Sequence, residues 1–338
     1  MTIYEQTSEE KIKKGHDFNY LQPCETLEGW TEVKGYDFSK DFDINEFLKS
    51  FLNTGFQATN LHRAIEIVKE MQKEKATIFL GYTSNMISCG VREIIKWLCM
   101  DKKVHVLVTT AGGVEEDIIK CLKPFVIGSY DTPGKALFER GINRTGNLFI
   151  PNDRYLYFER FMNKFFDRIY KEYKEKIITT QEFCWEIGKE IDNEESVMYW
   201  CYKNKLPIFC PALTDGSIGD LIYFFKQKHP DFKIDMTDDI VNITNLAMNA
   251  EKTGIIALGG SVPKHHIANA NLFKEGADYA IYLTTASEYD GSNAGANTEE
   301  AISWGKIKDN AMHIKVVGEA SITFPLLVLG GFKLKNES

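Results

Sequence analysis

The 338-residue sequence lacks the features of several large classes of protein. It has no apolar run of about 18 residues, so we expect no transmembrane helix. Residues 1–14 carry three glutamates and have neither the apolar stretch of a secretory signal nor the acid-poor, arginine-rich composition of a transit peptide, so a cytoplasmic location is expected. No dense block of lysine and arginine occurs, and the net charge of −8 argues against nonspecific binding to nucleic acid.

The common patterns of disulfides and metal ligands are also missing. The seven cysteines are scattered without a Cys-x-x-Cys pair, which predicts reduced thiols, mostly in the core. The seven histidines show no His-Glu-x-x-His spacing, and the adjacent His265 and His266 would point in different directions on a helix. We therefore expect no metal site.

Short apolar runs alternate with amphipathic stretches along most of the chain. The apolar runs lie at 77–81, 104–108, 207–210, 255–258, 279–283 and 314–317, and helix-like stretches begin near 60, 88, 114, 220 and 264. Strands of about four to six residues that alternate with longer helices predict βαβ units. The predicted fold is α/β, a doubly wound, mostly parallel Rossmann-like sheet with helices on both faces and a helical insertion at 151–204. Since no Pro/Ser-rich linker divides the chain, we expect a tail over 1–30 and a single domain over 31–338.

The loops that follow the predicted strands are rich in small and hydroxylated residues. Doubly wound sheets bind ligands at the carboxyl ends of their strands, where helix N-termini point at the ligand. Tight βα turns need glycine in any case, but five such loops together favour a nucleotide site. Neither Gly-x-Gly-x-x-Gly nor Gly-x-x-x-x-Gly-Lys-Ser/Thr is present. The loops contain Ser84-Asn85, Thr110-Ala111-Gly112-Gly113, Thr214-Asp215-Gly216-Ser217, Gly259-Gly260-Ser261 and Thr285-Ala286.

Lys306 follows Trp304 by two residues and Glu300 by six. An indole and a glycine beside a lysine suggest crowded, partly dry surroundings, which favour a neutral amine able to form an imine with a carbonyl or iminium substrate. The commoner arrangement for such a segment is a packed indole beside a solvated lysine. Acidic residues crowd the strand-end loops, and in the first turn of a helix they complement its dipole, which is the ordinary explanation for Glu115, Glu116 and Asp220. In a site that also contains a lysine and a tryptophan, they would hold the ammonium ends of a polyamine. These acidic residues are Glu115, Glu116, Asp215, Asp220, Asp290 and Glu300.

Five long strings resemble deoxyhypusine synthase. They lie at 81–88, 109–117, 211–217, 264–271 and 300–306, and the likeness runs in family order from about Gly35 to Leu329. The resemblance implies NAD-dependent transfer of the 4-aminobutyl group of spermidine to one lysine of the translation initiation factor 5A precursor, the first step of hypusine formation. It also implies a homotetramer with sites at dimer interfaces and an N-terminal segment, here 1–30, that covers a site entrance.

The resemblance further implies a role for individual residues. The catalytic positions are Lys306, which would carry the butylimine, and His265, a proton acceptor with a pKa near its ordinary value. The NAD positions are Ser84, Asn85, Met86, Ile87, Ser88, Thr110, Ala111, Gly112, Glu116, Asp215, Gly260, Thr285, Ala286, Asp290, Glu319 and Ala320. The spermidine positions are Glu115, Glu116, Asp220, His265, Gly291, Ser292, Asn293, Glu300, Trp304 and Lys306.

Three departures from the family pattern leave two alternatives open. Asn293-Ala294 stands in place of Asp followed by Ser, Glu319 in place of Asp, and Ser261 in place of a third glycine. The missing carboxylate at Asn293 predicts weaker spermidine binding, whereas we expect Ser261 to matter little. One alternative is a homospermidine synthase, which transfers the same group to putrescine. The other is a weakly active or inactive paralogue that binds NAD as a subunit of a hetero-oligomer.

Overall fold

The structure, a computed structural model, describes residues 27–334, and most of the strands in this span form one parallel sheet. Its spatial order is β11-β10-β9-β1-β2-β7. Strands β3, β5 and β4 form a small antiparallel sheet, and β6 pairs with β8. The strands are β1 (Thr77–Tyr82), β2 (Val106–Val108), β3 (Val126–Ile127), β4 (Ile142–Thr145), β5 (Leu148–Pro151), β6 (Ile178–Thr179), β7 (Ile208–Phe209), β8 (Ile234–Asp235), β9 (Thr253–Leu258), β10 (Ala277–Thr284) and β11 (Ile307–Val317).

Helices connect the strands of the parallel sheet. They are α1 (Ile44–Thr54), α2 (Phe56–Lys73), α3 (Asn85–Ser88), α4 (Val91–Met100), α5 (Ala111–Leu122), α6 (Gly134–Glu139), α7 (Asp153–Glu172), α8 (Thr180–Ile191), α9 (Val197–Asn204), α10 (Ser217–Lys228), α11 (Thr237–Met248), α12 (Ser261–Leu272), α13 (Thr298–Ser303) and α14 (Ala320–Val328), which continues into a π-helical turn (Leu329–Lys333). Residues 27–43 contain turns but neither helix nor strand.

The two faces of the parallel sheet bury two separate cores. Alternate residues of a strand point to opposite faces, so Ile78 and Leu80 of β1 pack into one core and Phe79 into the other. Helices α11 and α12 supply Ile243 and Ile267 to the second core. Burial of an aliphatic or aromatic side chain of this size stabilises the fold by about 1.5–3 kcal/mol. The central strands β1 and β9 are buried on both faces.

The predicted fold class is confirmed, and the elements differ from the prediction in detail. The insertion at 151–204 consists of α7, α8 and α9 with the short β6 between them. Helix α1 and the short α3 were not predicted, the helix predicted to begin near 88 begins at Val91 as α4, and β11 is longer than its predicted 314–317. Most of the predicted site-covering tail, residues 1–26, lies outside the described residues.

Candidate active site

All six strands of the parallel sheet end at one edge, and the residues predicted to bind a dinucleotide follow them. Segment 84–88 follows β1, segment 110–112 follows β2, and Asp215 follows β7. Gly260, segment 285–290 and segment 319–320 follow β9, β10 and β11. The order of strands reverses between β1 and β9, which pair along their whole length. Ligands of doubly wound sheets bind in the crevice above such a switch point.

The loops after β1 and β2 approach each other closely. A Cβ atom at Gly112 would lie 2.5 Å from the Cβ atom of Ser84, so only glycine permits this approach. Thr110 precedes α5, and its hydroxyl is buried without a hydrogen-bond partner among residues 27–334. An unpartnered hydroxyl beside the free N–H groups of a helix N-terminus suits a phosphate or a ribose oxygen. The residues present therefore fit a dinucleotide.

The side chains of segment 84–88 do not all face this crevice. Ser84 is half-buried and Asn85 is exposed, whereas Met86 and Ile87 are buried in the core. The hydroxyl of Ser88 donates a hydrogen bond to Glu116. Any contact of Met86 or Ile87 with a ligand would therefore have to involve the backbone.

Glu115 and Glu116 lie beyond the first turn of α5, so the dipole of their own helix does not account for them. The Glu115 carboxylate accepts a hydrogen bond from the Ile218 N–H at 3.0 Å and so binds the start of α10. Burial raises the pKa of Glu116 to about 7, although the bond from Ser88 opposes the shift. Asp220 lies in the first turn of α10 and is exposed.

A tight helix ending places Lys306. The Lys306 N–H donates to the Ala301 carbonyl at 2.9 Å and the Gly305 N–H donates to the Ile302 carbonyl at 2.8 Å. These two bonds form a Schellman motif, which needs a left-handed residue after the helix, and Gly305 supplies it with φ of 69°. The Trp304-Gly305-Lys306 segment therefore ends α13 and starts β11.

The backbone of Lys306 lies at the far end of β10 from the loops at the sheet edge. Its carbonyl accepts the N–H of Ala277, the first residue of β10, at 3.0 Å. Helix α12 connects the two regions, since it begins just after Gly260 and ends with Leu272 beside Gly305. The candidate site therefore extends along α12 and is not confined to the carboxyl ends of the strands.

The Lys306 ammonium lies near an indole and an imidazole. Its Nζ atom is 5.5 Å from the Trp304 ring centroid, within cation–π range. Trp304 is 65 % exposed, so a single chain forms neither the partly dry surroundings nor the packed indole that the sequence left open. Burial and, secondly, the Lys306 charge lower the pKa of His265, which corrects the expected ordinary value. A neutral imidazole is the form that accepts a proton.

Most of the predicted spermidine residues fall into two groups. The acidic group, Glu115, Glu116 and Asp220, lies on the helices that follow β2 and β7, at one side of the sheet. The lysine group lies at the other side and consists of His265 on α12, which connects β9 with β10, Glu300 on α13, and Trp304 and Lys306 between α13 and β11. The remaining predicted residues, Gly291, Ser292 and Asn293, lie in the loop between β10 and α13. Across the described part of the chain, no hydrogen bond or ion pair joins the two groups.

Two of the departures from the family pattern are in direct contact. The Asn293 amide donates a hydrogen bond to the Ser261 carbonyl at 2.9 Å. Ser261 has φ of 59°, a left-handed conformation that is strained for a residue with a Cβ atom. Serine at position 261, where the family has glycine, therefore carries a cost in backbone strain. We had expected this difference to matter little. The third departure, Glu319, caps α14 by accepting the Ser321 N–H at 3.0 Å.

Sequence reasoning missed two lysines near the lysine group. Lys264 is only 3 % exposed, and Lys315 lies on β11. Burial lowers the pKa of Lys264 to about 8, the Lys315 and Lys306 charges add to this shift, and Glu300 opposes it. No sequence pattern separates these lysines from solvated ones.

Residues 27–334 contain neither a membrane-spanning helix nor a cluster of metal ligands. No helix there is long and apolar enough to cross a membrane. No group of three or more histidine, cysteine or acidic side chains in that span is arranged to hold a metal ion.

Comparison with known proteins identifies the family. The deoxyhypusine synthase family model matches residues 46–330. A probable deoxyhypusine synthase of Methanocaldococcus jannaschii is 50% identical over 325 residues, which cover 91% of this chain and 98% of that protein. A deoxyhypusine synthase of Senecio vernalis is 46% identical over 346 residues, which cover 94% of this chain and 93% of that protein. A crystal structure from Entamoeba histolytica, assigned to the deoxyhypusine synthases, is 30% identical with a TM-score of 0.68 and covers 89% of this chain and 97% of its own. The chain therefore belongs to the deoxyhypusine synthase family.

Proposed function

We propose that the protein transfers the 4-aminobutyl group of spermidine to one lysine of the translation initiation factor 5A precursor, with NAD as cofactor and Lys306 as the carrier. The observation that carries this proposal is the lysine group itself, in a chain that the family model matches over 46–330. Lys306 is half-buried, its Nζ atom lies 5.5 Å from the Trp304 ring centroid, and its charge acts on His265. Imine transfer of a cationic amine needs a lysine amine, a base and a surface that holds the cation.

The chain's own residues divide the chemistry among them. His265 takes the proton from the secondary amine of spermidine while the adjacent carbon is oxidised to an imine. Bound NAD supplies the hydride acceptor for this oxidation and, as NADH, the donor for the final reduction. The Lys306 amine attacks the imine carbon, forms its own imine with the aminobutyl group and releases 1,3-diaminopropane. The acceptor lysine then displaces Lys306, which is regenerated.

The residues that would hold NAD are those at the carboxyl edge of the sheet. Ser84, Thr110 and Gly112 line the closest approach between two loops, and the unpartnered Thr110 hydroxyl there supports a ligand with many oxygens. Asp215, Gly260 and Asp290 follow neighbouring strands at the same edge.

A second copy of the chain would complete the site. The acidic and lysine groups lie at opposite sides of the sheet, and large apolar side chains beside the lysine group are exposed, among them Trp304 and Phe273. Both observations support the homotetramer with sites at dimer interfaces that the family implies. The six described cysteines are free thiols, which supports a cytoplasmic location.

Transfer of label tests the proposed function. The purified protein is incubated with NAD and spermidine labelled in its aminobutyl group, in the presence of either the factor precursor or putrescine. We expect label on a single lysine of the precursor. Label on putrescine alone would identify a homospermidine synthase. Label on neither acceptor, from a protein that binds NAD, would contradict the proposal in favour of a subunit that needs a partner.

Asn293→Asp tests the charge missing from the 293–296 loop. A charge-assisted contact contributes about 1.5–3 kcal/mol against about 0.5–1.5 for a neutral one, so we expect the KM for spermidine to fall roughly ten-fold. Because aspartate cannot donate to the Ser261 carbonyl, the free energy of unfolding should also fall by about 1 kcal/mol. Ser261→Gly, added to the Asn293→Asp variant, should restore the free energy of unfolding and leave the lowered KM of that variant unchanged. A KM that stays constant or rises in Asn293→Asp would show that another residue already supplies the charge.

Glu116→Gln tests the pH dependence of substrate binding. With its pKa at about 7, Glu116 is mostly neutral below pH 7 and becomes a carboxylate above it. A cation that binds the carboxylate form should bind about ten-fold more tightly at pH 8 than at pH 6. Titration calorimetry with spermidine should show this rise in the native protein and a flat profile in Glu116→Gln. Glu66→Gln, on the solvent face of α2, serves as the control and should keep the rise. The same rise in both variants would assign it to another group.

A further inference from the structure

Four consecutive backbone carbonyls of the loop between β10 and α13 each accept a side-chain hydrogen bond. Lys264 donates to the Asn293 carbonyl at 2.7 Å and to the Ala296 carbonyl at 2.8 Å. The Thr284 hydroxyl donates to the Ala294 carbonyl at 3.3 Å. Lys315 donates to the Gly295 carbonyl. The backbone of the 293–296 loop is therefore held from outside, by side chains of three different elements.

Lys264 uses its whole ammonium group in this arrangement. It is 3 % exposed and lies 4.1 Å from the Tyr282 ring centroid, in addition to its two bonds to carbonyls. A buried ammonium is costly unless its hydrogens find acceptors, and the two carbonyls and the ring supply them. No carboxylate of residues 27–334 forms an ion pair with Lys264. The ammonium therefore does not neutralise an acidic side chain that a cationic substrate would need.

Lys315 reaches the same loop from the edge strand. Its side chain is 11% exposed, and its Nζ atom lies 3.9 Å from the Glu288 carboxylate, in the first part of the connection between β10 and α13. A Cβ atom at Gly295 would lie 1.6 Å from the Ser287 carbonyl oxygen, so the loop folds tightly on itself and has no room for side chains of its own there. The N–H groups of Gly295 and Ala296 bond within the loop to the Ser292 carbonyl, at 3.1 Å each, whereas two lysines from separate elements supply donors to the carbonyls of Asn293, Gly295 and Ala296.

We propose that Lys264 and Lys315 are positioning residues that together fix the 293–296 backbone and thereby set the specificity of the site for a linear cationic amine. The loop carries Asn293 at one end. At the other end it leads into the Asn297 cap of α13, whose side chain accepts the Glu300 N–H at 2.9 Å. Fixing the loop thus fixes the Asn293 side chain and the start of the helix that carries Glu300 of the lysine group. This inference rests on the proposed function for its substrate, but the ordering of the loop does not.

The test compares Lys264→Met and Lys315→Met with Lys308→Met in the full-length protein. Lys308 also lies on β11, but it pairs with Asp278 at 2.6 Å, away from the loop. The loop bonds are charge-assisted, so in both loop variants we expect amide hydrogen exchange of residues 292–298 to be about ten- to one-hundred-fold faster. We also expect the KM for spermidine to rise about ten-fold, with kcat within about three-fold of the native value. Lys315→Arg keeps a charged donor, so both its rate of hydrogen exchange and its KM for spermidine should be close to the native values.

Each outcome decides the matter. Native exchange and native KM in both loop variants would overturn the proposal, as would a loss of kcat at unchanged KM, which is the result of partial unfolding. If Lys264→Met does not fold, the comparison of Lys315→Met with Lys315→Arg decides alone. If the native protein transfers no aminobutyl group, the proposed function fails, and hydrogen exchange still decides whether the two lysines order the loop.

Discussion

Lys306→Ala is expected to abolish transfer of the aminobutyl group, by at least about a thousand-fold, while NAD still binds. Alanine has no amine to form the imine, and loss of a covalent nucleophile removes most of an enzyme's rate enhancement. The residues proposed to hold NAD lie at the carboxyl edge of the sheet, whereas the Lys306 backbone lies at the amino end of β10, so the substitution leaves them in place. Transfer of labelled spermidine and titration with NAD measure the two effects.

Two comparison variants distinguish the role of Lys306 as a nucleophile from the effect of its positive charge. Lys306→Arg keeps a cation near Trp304 but has no nucleophilic amine, so it should be as inactive as the alanine variant. Lys308→Ala removes a lysine two residues along the same strand and should retain activity within about two-fold. Substantial product from Lys306→Ala would refute the assigned carrier, and recovery in Lys306→Arg would reduce its role to a positive charge.

The largest effect on stability is expected from Asp117→Ala. Asp117 is fully buried and accepts hydrogen bonds from Arg92 at 2.7 Å, from the Ser196 hydroxyl at 2.6 Å, and from the N–H groups of Val197 at 3.1 Å and Met198 at 3.0 Å. The variant leaves the buried guanidinium without its buried carboxylate and the N–H groups of Val197 and Met198 without their acceptor, so the free energy of unfolding should fall by about 3–5 kcal/mol. Urea unfolding measures this loss, which is a large share of the stability of a typical domain.

The second ion pair of Arg92 provides the matched control. Its second carboxylate partner is Glu93 at 3.3 Å, whose side chain is 48% exposed. Exposed ion pairs contribute about 0–1 kcal/mol, so Glu93→Ala should change stability by no more than that. Equal losses in the two variants would show that the buried position of Asp117 has no special weight.

The sequence predicted the parts of the fold that follow hydrophobic pattern. The runs at 77–81 and 255–258 became β1 and β9 because both faces of those strands are buried. Pattern failed where burial is partial. Strand β11 lies at the edge of the sheet, and its first half contains the consecutive polar residues Lys308, Asp309 and Asn310, which are half-buried or exposed, so only its apolar end was predicted.

Helix α1 had a local signal that hydrophobic pattern does not read. Asp43 is followed three residues later by Glu46, and the Asp43 side chain accepts the Glu46 N–H. An acidic or hydroxyl residue three positions before Glu is typical of a helix start. Attention to this spacing would have found the helix.

The candidate site was predictable where it depends on loops and unpredictable where it depends on tertiary contacts. The residues that follow each strand share one edge because parallel strands end together. The burial of Lys264, the contact of Glu115 with α10 and the bond from Asn293 to Ser261 depend on elements distant in sequence. The separation of the acidic group from the lysine group depends on the order of strands, which sequence pattern does not specify.

The most direct test of Lys306 as the carrier of the aminobutyl group is to trap the covalent intermediate in the native protein. The protein is incubated with NAD and spermidine labelled in its aminobutyl group, without acceptor, and then treated with borohydride, which reduces an imine to a stable secondary amine. Digestion and mass spectrometry locate the modified lysine. We expect the aminobutyl group on Lys306 alone. Modification of another lysine, such as the buried Lys264, or absence of any adduct in a preparation that modifies the factor precursor, would contradict it.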